Sequence, residues 1–268
     1  MAIATKVLFY TDSIVIGYLL EVSGVTFYAI PAMIMEYLEK FIWAIIAVLI
    51  PVISSLNSKG DVKSNVDLYY IGTRYSLLIS APAIIVLFVV GRDFIALWMG
   101  QSYAEPSGTV LNLLLVGYFF YLIQLIAHGI LISINRHKVL AYFMIAEAMA
   151  NLILSIYLAP KFNIAGVALG TVVPMLIINI IALPMYSCHV LRIGYLHYVS
   201  RSILPGVMSV IIIILFLLQF DIRIKNYYEL LLFIVTLLFF YVIYAWKFHV
   251  EKQHQRQFLA YMKKYTSL

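Results

Sequence analysis

The stretch Gly108-TVLNLLLVGYFFYLIQLIAHGILIS-Ile134 contains no Asp, Glu, Lys or Arg. It is longer than the roughly 20 apolar residues a helix needs to cross a bilayer. Lipid offers no partner to a backbone N–H or C=O, so such a run reads as a membrane-spanning helix. Segments 162–191 and 202–220 are equally free of charge, and 226–246 has only Glu229 near its edge. Four further segments keep the apolar bulk but carry charges. Lys6 and Asp12 lie in 2–20, Glu36, Glu39 and Lys40 in 30–56, Arg74 in 68–90, and Glu147 in 139–160. The sequence therefore predicts an all-α integral membrane protein of about eight transmembrane helices.

Composition agrees. Of 268 residues, 64% are apolar and 11% charged, with a mean hydropathy of +1.00. A soluble domain carries about twice that charge, so too little polar surface exists to cover a water-soluble enzyme's core. The net charge of +6 does not signal nucleic-acid binding, because the basic residues are dispersed among apolar runs. Cys188 is the single cysteine, so an internal disulfide is excluded. Asp12 interrupts the first apolar stretch and no small-residue cleavage site follows, so no signal peptide is expected.

Charge also orients the chain. With both termini in the cytoplasm and eight spans, the inside segments hold Lys6, Lys59, Lys63, Arg74, Arg136, Lys138, Arg192, Arg201, Lys247, Lys252, Arg256, Lys263 and Lys264. The outside holds Arg92, Lys161, Arg223 and Lys225, and Lys40 sits within a helix. This excess of inside cations matches the positive-inside rule. In the tail, Phe258, Met262 and Tyr265 fall at helical spacing with Lys252, Arg256 and Lys263 elsewhere around the wheel. Either a basic amphipathic helix on an anionic membrane surface or a solvated tail accounts for this pattern. Turn chemistry marks the connections 57–61, 100–106 and 135–138.

The few polar residues inside spans are the candidate site, because a charge at the bilayer centre is costly. Glu147, Asn151 and Ser155 repeat at four residues, and Tyr121, Gln124 and His128 form a second stripe. Glu36 and Lys40 are spaced to pair on one helix face, with Glu39 adjacent, and Lys6 precedes Asp12 by two turns. These stripes either line a wet cavity or fix packing through interhelical hydrogen bonds and ion pairs. Pro82, Pro174, Pro184 and Pro205 each remove a backbone donor, bending a helix or opening its first turn. Bent helices suit a transporter's central site and also simple tight packing. Catalytic signatures and metal-ligand clusters are missing, and the loops leave no room for an extramembrane active site. Transport is expected rather than catalysis, with no cofactor and no metal.

Several ordered motifs extend this reading. Asp12-SIVI-Gly17, followed by Leu19-LEVSGVTFY-Ala29, resembles the "D-x-x-x-I/L-G … V-G-x-Y-x-x-A" stretch of polysaccharide flippases, which belong to the multidrug/oligosaccharidyl-lipid/polysaccharide exporter superfamily. Ile50-PVISSLNSKG-Asp61 is similar to that family's "P-x-x-S … G-D" helix end, Leu97-WMGQS-Tyr103 to its "L-x-x-G-x-x-Y" loop, and Asn135-RH-Lys138 to its short basic turn. Asn151 to Thr171, ending in Pro160-KFNIAGVALG-Thr171, resembles the family's "N-x-x-L … P-x-F/Y-G … T" region.

The resemblance implies a bacterial inner-membrane flippase of undecaprenyl-pyrophosphate-linked oligosaccharides for O-antigen or capsule assembly. It implies a fold of two six-helix lobes with two further helices. This chain corresponds to the second lobe (1–191), the two extra helices (192–247) and a basic tail (248–268). Membrane lipids, a separate first lobe and polysaccharide-assembly proteins are the expected partners, and nucleic acid is not. Within that reading Lys6, Lys40 and Arg74 are the candidate phosphate-facing cations. Glu36, Glu39, Tyr121, Gln124, His128, Asn151 and Asn179 complete the candidate substrate cavity. Asp12 or Glu147 is the candidate carrier of a coupling proton or sodium ion, since burial favours a carboxylate's neutral form. A cation-coupled multidrug-type antiporter and a membrane-embedded polysaccharide polymerase are the alternatives.

Overall fold

The computed structural model describes residues 2–48, 51, 55 and 62–249, with side chains from residue 11 onward except 62–64. The Lys6 side chain, the 57–61 turn and the tail from residue 250 lie outside the described residues. Within them every element is helical. These are α1 (Ala2–Leu19), α2 (Val22–Ala47), α3 (Val62–Met99), α4 (Gln101–Ser133), α5 (His137–Leu176), α6 (Leu183–Leu191), α7 (Tyr195–Tyr198), α8 (Leu204–Leu217) and α9 (Tyr227–Phe248). Short π-helical stretches, Ile177–Ala182 and Val199–Ile203, join α5 to α6 and α7 to α8.

Among the described residues five rods are long and apolar enough to cross a membrane: Asn65–Met99, Gln101–Ser133, His137–Leu191, Tyr195–Leu217 and Tyr227–Phe248. With α1 and α2 the described residues form seven rods, not the eight helices expected. The difference lies in His137–Leu191, where two helical limbs follow one another directly and the chain reverses at Asn163, whose backbone is non-helical (φ 53°, ψ −141°). At 55 residues and about 1.5 Å per residue, a straight rod would be far longer than a bilayer is thick. Its two limbs instead lie side by side. The Asn151 amide meets the Thr171 hydroxyl at 2.8 Å, and the Ser155 hydroxyl donates to the Val167 carbonyl at 3.4 Å. Gly166 and Gly170 permit this approach. A Cβ on Gly166 would stand 2.3 Å from the Leu158 carbonyl oxygen, and one on Gly170 would stand 2.3 Å from Ser155 Oγ.

A second expectation is corrected at 100–106. That segment is not a loop: Gly100 alone breaks the helix, with φ 106° and ψ 159°, and α4 starts at Gln101 with Pro106 inside it. Only glycine adopts Gly100's conformation without strain, so one residue suffices for the turn.

The α4 rod is the central one. It packs along α3, α5 and α2, and 72% of its apolar window is buried, against 11% for α9. The charge-free stretch that announces a membrane helix is thus the core of the bundle, while α9 faces lipid. Helices α1, α2 and α5 lie on one side of this core, and α8 and α9 lean on α3 on the other.

Three prolines leave a backbone carbonyl four residues earlier without its helical donor, and each such carbonyl is taken by a side chain from elsewhere. Opposite Pro82, Tyr241 Oη donates to the Leu78 carbonyl at 3.0 Å. For Pro184, Tyr195 Oη donates to the Ile180 carbonyl at 2.8 Å. For Pro205, Arg74 Nη2 donates to the Arg201 carbonyl at 3.0 Å. The π-helical stretches directly precede Pro184 and Pro205, as expected where a membrane helix re-satisfies freed groups. Tyr241→Phe is expected to cost about 0.6–1.7 kcal/mol of stability. In a Pro82→Ala background that cost should shrink toward zero, because residue 82 regains an N–H for Leu78. A double-mutant cycle of detergent melting curves measures the coupling, and equal costs in both backgrounds would refute it.

Candidate functional site

Asp12 sits two-thirds of the way along α1 and is 4% exposed in an apolar interior. A carboxylate there is tolerated only if its oxygens are served by donors. Three are present, from three other helical segments. Tyr28 Oη of α2 donates to Oδ2 at 2.6 Å. Thr171 Oγ1, on the second limb of α5, donates to the same oxygen at 2.9 Å. Asn151 Nδ2, on the first limb, donates to Oδ1 at 3.2 Å. Thus α1, α2 and both limbs of the hairpin are tied at one carboxylate, and the glycine seam described above sets the distance between Asn151 and Thr171.

The cluster forms one wall of a cavity of about 300 Å³. Glu39 and Glu147 also line it, as do Tyr28, Trp43, Tyr118, Tyr121, Phe143 and His128. Glu39 accepts a 2.7 Å hydrogen bond from Tyr121 Oη, whose ring meets His128 edge-on at 5.7 Å. Among the described residues Glu147 has no hydrogen-bond or ion-pair partner. Asn179 lines the cavity with its amide donating to the Met175 carbonyl at 2.8 Å. The Oδ1 atoms of Asn151 and Asn179 are buried without a partner. Among the described residues that line it there is no Lys or Arg. Three carboxylates, two unserved amide oxygens and a ring of aromatics make a chamber suited to a cation and repulsive to phosphate.

The structure therefore gathers Asp12, Glu39, Tyr121, His128, Glu147, Asn151 and Asn179 of the sequence candidates, and leaves others outside. Glu36 and Lys40 pair on the exposed face of α2 and do not line the cavity. Arg74 is occupied with the carbonyl freed by Pro205. Gln124 leaves the Tyr121 stripe because residues three apart diverge around the helix, whereas Tyr121 and His128, seven apart, stay in line. It packs behind α4, accepting from Tyr69 Oη at 3.4 Å and donating to Tyr198 Oη at 3.3 Å. Tyr28, Thr171, Trp43 and Tyr118 are lining residues that the stripes miss. Tyr28 and Thr171 do lie inside the motif-bearing segments, Tyr28 next to the end of one and Thr171 at the end of another, and that was the available signal.

A multi-helix membrane protein with a buried acidic chamber is the class these features define. Residues 2–108 match the model of a family described as polysaccharide biosynthesis protein. The chain is 26% identical over 168 residues to a Shigella flexneri protein named "Putative O-antigen transporter", covering 63% of this chain and 40% of that protein. It is 24% identical over 224 residues to the uncharacterized membrane protein EpsK of Bacillus subtilis, covering 80% of this chain and 43% of EpsK. An uncharacterized membrane protein of Methanocaldococcus jannaschii matches at 30% over 170 residues, 62% of this chain and 33% of that one. The chain thus spans less than half the length of these relatives. Together the matches show the chain to be similar to membrane proteins of polysaccharide biosynthesis, in line with the resemblance its ordered motifs carry.

Proposed function

We propose that this chain forms one lobe of a membrane exporter that moves polyprenyl-pyrophosphate-linked oligosaccharides across the bacterial inner membrane for surface-polysaccharide assembly. The observation that carries the mechanistic part is the Asp12 cluster: one carboxylate held by Tyr28, Asn151 and Thr171 in a cation-suited chamber. In this reading the chamber takes a proton or sodium ion, whose arrival reshapes the contacts between α1, α2 and the α5 hairpin. Glu147 lies beside them in the same chamber. The anionic pyrophosphate stays outside, since the three carboxylates would repel it. Counting the hairpin as two crossings, the chain passes the membrane eight times with both termini inside. It acts with a second lobe, carried earlier in the same protein or by another chain, and rocking of one lobe against the other supplies alternating access. The chain carries out no catalysis.

Deletion in the source cell tests this. Surface polysaccharide should be lost while the lipid-linked precursor accumulates at the inner leaflet, and reintroducing the gene should restore both. Normal surface polysaccharide in the deletion strain would overturn the reading. The acidic, aromatic chamber also supports a second reading, a cation-coupled multidrug-type antiporter. In that case the deletion should leave polysaccharide intact and raise retention of cationic dyes.

A further inference from the structure

The chamber holds more carboxylates than one cation can offset. Asp12, Glu39 and Glu147 all line it, and among the described lining residues no Lys or Arg answers them. The three are also spread along the helices. Tyr28 serves Asp12, and Glu39 stands roughly 16 Å beyond Tyr28 along α2 at about 1.5 Å per residue. One ion at Asp12 therefore does not reach Glu39. Glu39 has help of its own: Tyr121 Oη donates to it at 2.7 Å, and the adjacent Lys40 acts on it electrostatically. Glu147 has neither. Among the described residues it has no hydrogen-bond or ion-pair partner, and Glu39 acts on it as a second negative charge.

The hairpin brings a second unserved group to the same level. Its limbs run antiparallel, with Asn151 against Thr171 and Ser155 against Val167. That register sets Glu147 opposite Met175, about 6 Å along the helix from Asn151. Asn179 lies one turn past Met175, in the π-helical stretch 177–182. Its Nδ2 nevertheless reaches back to the Met175 carbonyl at 2.8 Å, which draws the amide toward the level of Glu147. The Asn179 side chain lines the chamber and the residue is 1% exposed, yet its Oδ1 has no partner. A buried amide oxygen is costly unless a donor or a cation meets it.

We propose that Glu147 and Asn179 bind a second monovalent cation, sodium, one turn along the chamber from the ion or proton taken at Asp12. This deepens the reading of the chamber as the exporter's cation site and rests on it. Carboxylate and amide oxygens are ligands for a hard cation. One carboxylate with a neutral amide oxygen matches a single positive charge, whereas a calcium ion takes six to eight oxygens and magnesium demands near-ideal octahedral geometry. Space suffices. At about 30 Å³ per water, a cavity of about 300 Å³ holds roughly ten waters, enough for two partly hydrated ions. The turn between the sites keeps each cation on its own carboxylate. A proton on Glu147 is the competing occupant, and it would give no sodium count.

The test is equilibrium dialysis of the purified full chain against radioactive sodium in mild detergent at mildly alkaline pH. Glu147→Gln should lower the sodium bound per chain by one ion. The Asp12→Asn protein should keep that ion and lose it when Glu147→Gln is added. Asn179→Leu leaves Glu147 in place and should weaken its ion about tenfold or more, since even a metal's outer-shell partners contribute that much. Glu36→Gln, whose residue pairs with Lys40 on the exposed face of α2, should change nothing. Glu147→Gln breaks no hydrogen bond among the described residues, and melting curves check that it folds. Sodium binding that is absent, unchanged in Glu147→Gln, or equally reduced in Glu36→Gln would overturn the second site. Deletion of the gene tests the exporter reading by itself, so lost surface polysaccharide with no sodium at Glu147 would sink this site and leave that reading standing.

Discussion

Asp12→Asn is expected to lower export by about tenfold or more, a loss of about 1.4 kcal/mol or more in the step it serves, while leaving the fold nearly intact. The two parts of this expectation have separate causes. The amide is the carboxylate's isostere, so α1, α2 and α5 keep their spacing. Its oxygen still accepts from Tyr28, whose hydroxyl is otherwise buried at 3% exposure. Thr171 donates to that same oxygen, so the bond lost is that of Asn151 Nδ2 to the other oxygen, and this amide keeps Thr171 Oγ1 at 2.8 Å as an acceptor. What the substitution removes is charge, and with it the ability to take up a proton or hold a cation. Asp12→Ala differs, because Tyr28, Thr171 and Asn151 lose their shared acceptor together, and the Thr171 oxygen, 3.0 Å from Tyr28 and 2.8 Å from the Asn151 amide, must then serve both. An unserved buried donor costs about 1–3 kcal/mol, so stability should fall along with export. Thr171→Val keeps the charge and one donor fewer, and should weaken export less than Asp12→Asn. Surface-polysaccharide restoration in the deletion strain, read beside melting in detergent, separates these outcomes. Full export by Asp12→Asn would remove the chamber from the coupling mechanism.

The sequence made the membrane-helix class legible because lipid imposes a single requirement, an apolar run long enough to satisfy its own backbone. Asp12, Glu147 and Asn151 were legible for the converse reason: a polar group in such a run is costly, so it marks a site. Arg74 and Gln124 obey the same logic and yet serve packing. Their partners, the Arg201 carbonyl and the hydroxyls of Tyr69 and Tyr198, belong to segments 55 to 127 residues away. No periodicity within one helix encodes such pairs. Tyr28 and Thr171 escaped for the opposite reason. A single Tyr or Thr is ordinary in a membrane helix, and only the convergence of four segments on one carboxylate distinguishes them. The prolines were visible as missing donors, but the side chains that answer them come from tertiary packing. The reversal at Asn163 left a trace in the sequence, since Pro160 and Gly166 bracket it, whereas Gly100 gave a turn so short that the residues after it read as loop.

Gly170→Ala should damage stability and export together, which Asp12→Asn should not. A methyl group at 170 would lie 2.3 Å from Ser155 Oγ, 2.7 Å from the Ser155 nitrogen and 2.8 Å from its Cα. The hydroxyl could rotate away, but the two backbone atoms belong to a helix and cannot, so the limbs of the hairpin must part. Overpacking of this kind costs about 1–3 kcal/mol. The separation falls next to Thr171, so it also pulls the 2.8 Å Asn151–Thr171 contact apart and opens the cluster around Asp12. Gly166→Ala meets the Leu158 carbonyl group at 2.3 and 2.6 Å and should behave alike, with a smaller effect on export because it lies a turn further from the carboxylate. Two controls isolate the cause. Ser155→Ala in the Gly170→Ala background removes only the hydroxyl clash and should rescue stability in part, leaving the backbone contacts. Gly100→Ala meets no atom within 4 Å but must hold a φ of 106°, so it should cost stability through backbone strain while export per folded molecule stays normal. Melting curves and export per folded molecule, measured on the same preparations, place each variant. A Gly170→Ala protein with wild-type melting and export would mean that the hairpin limbs can separate freely and that their close approach does not set the geometry at Asp12.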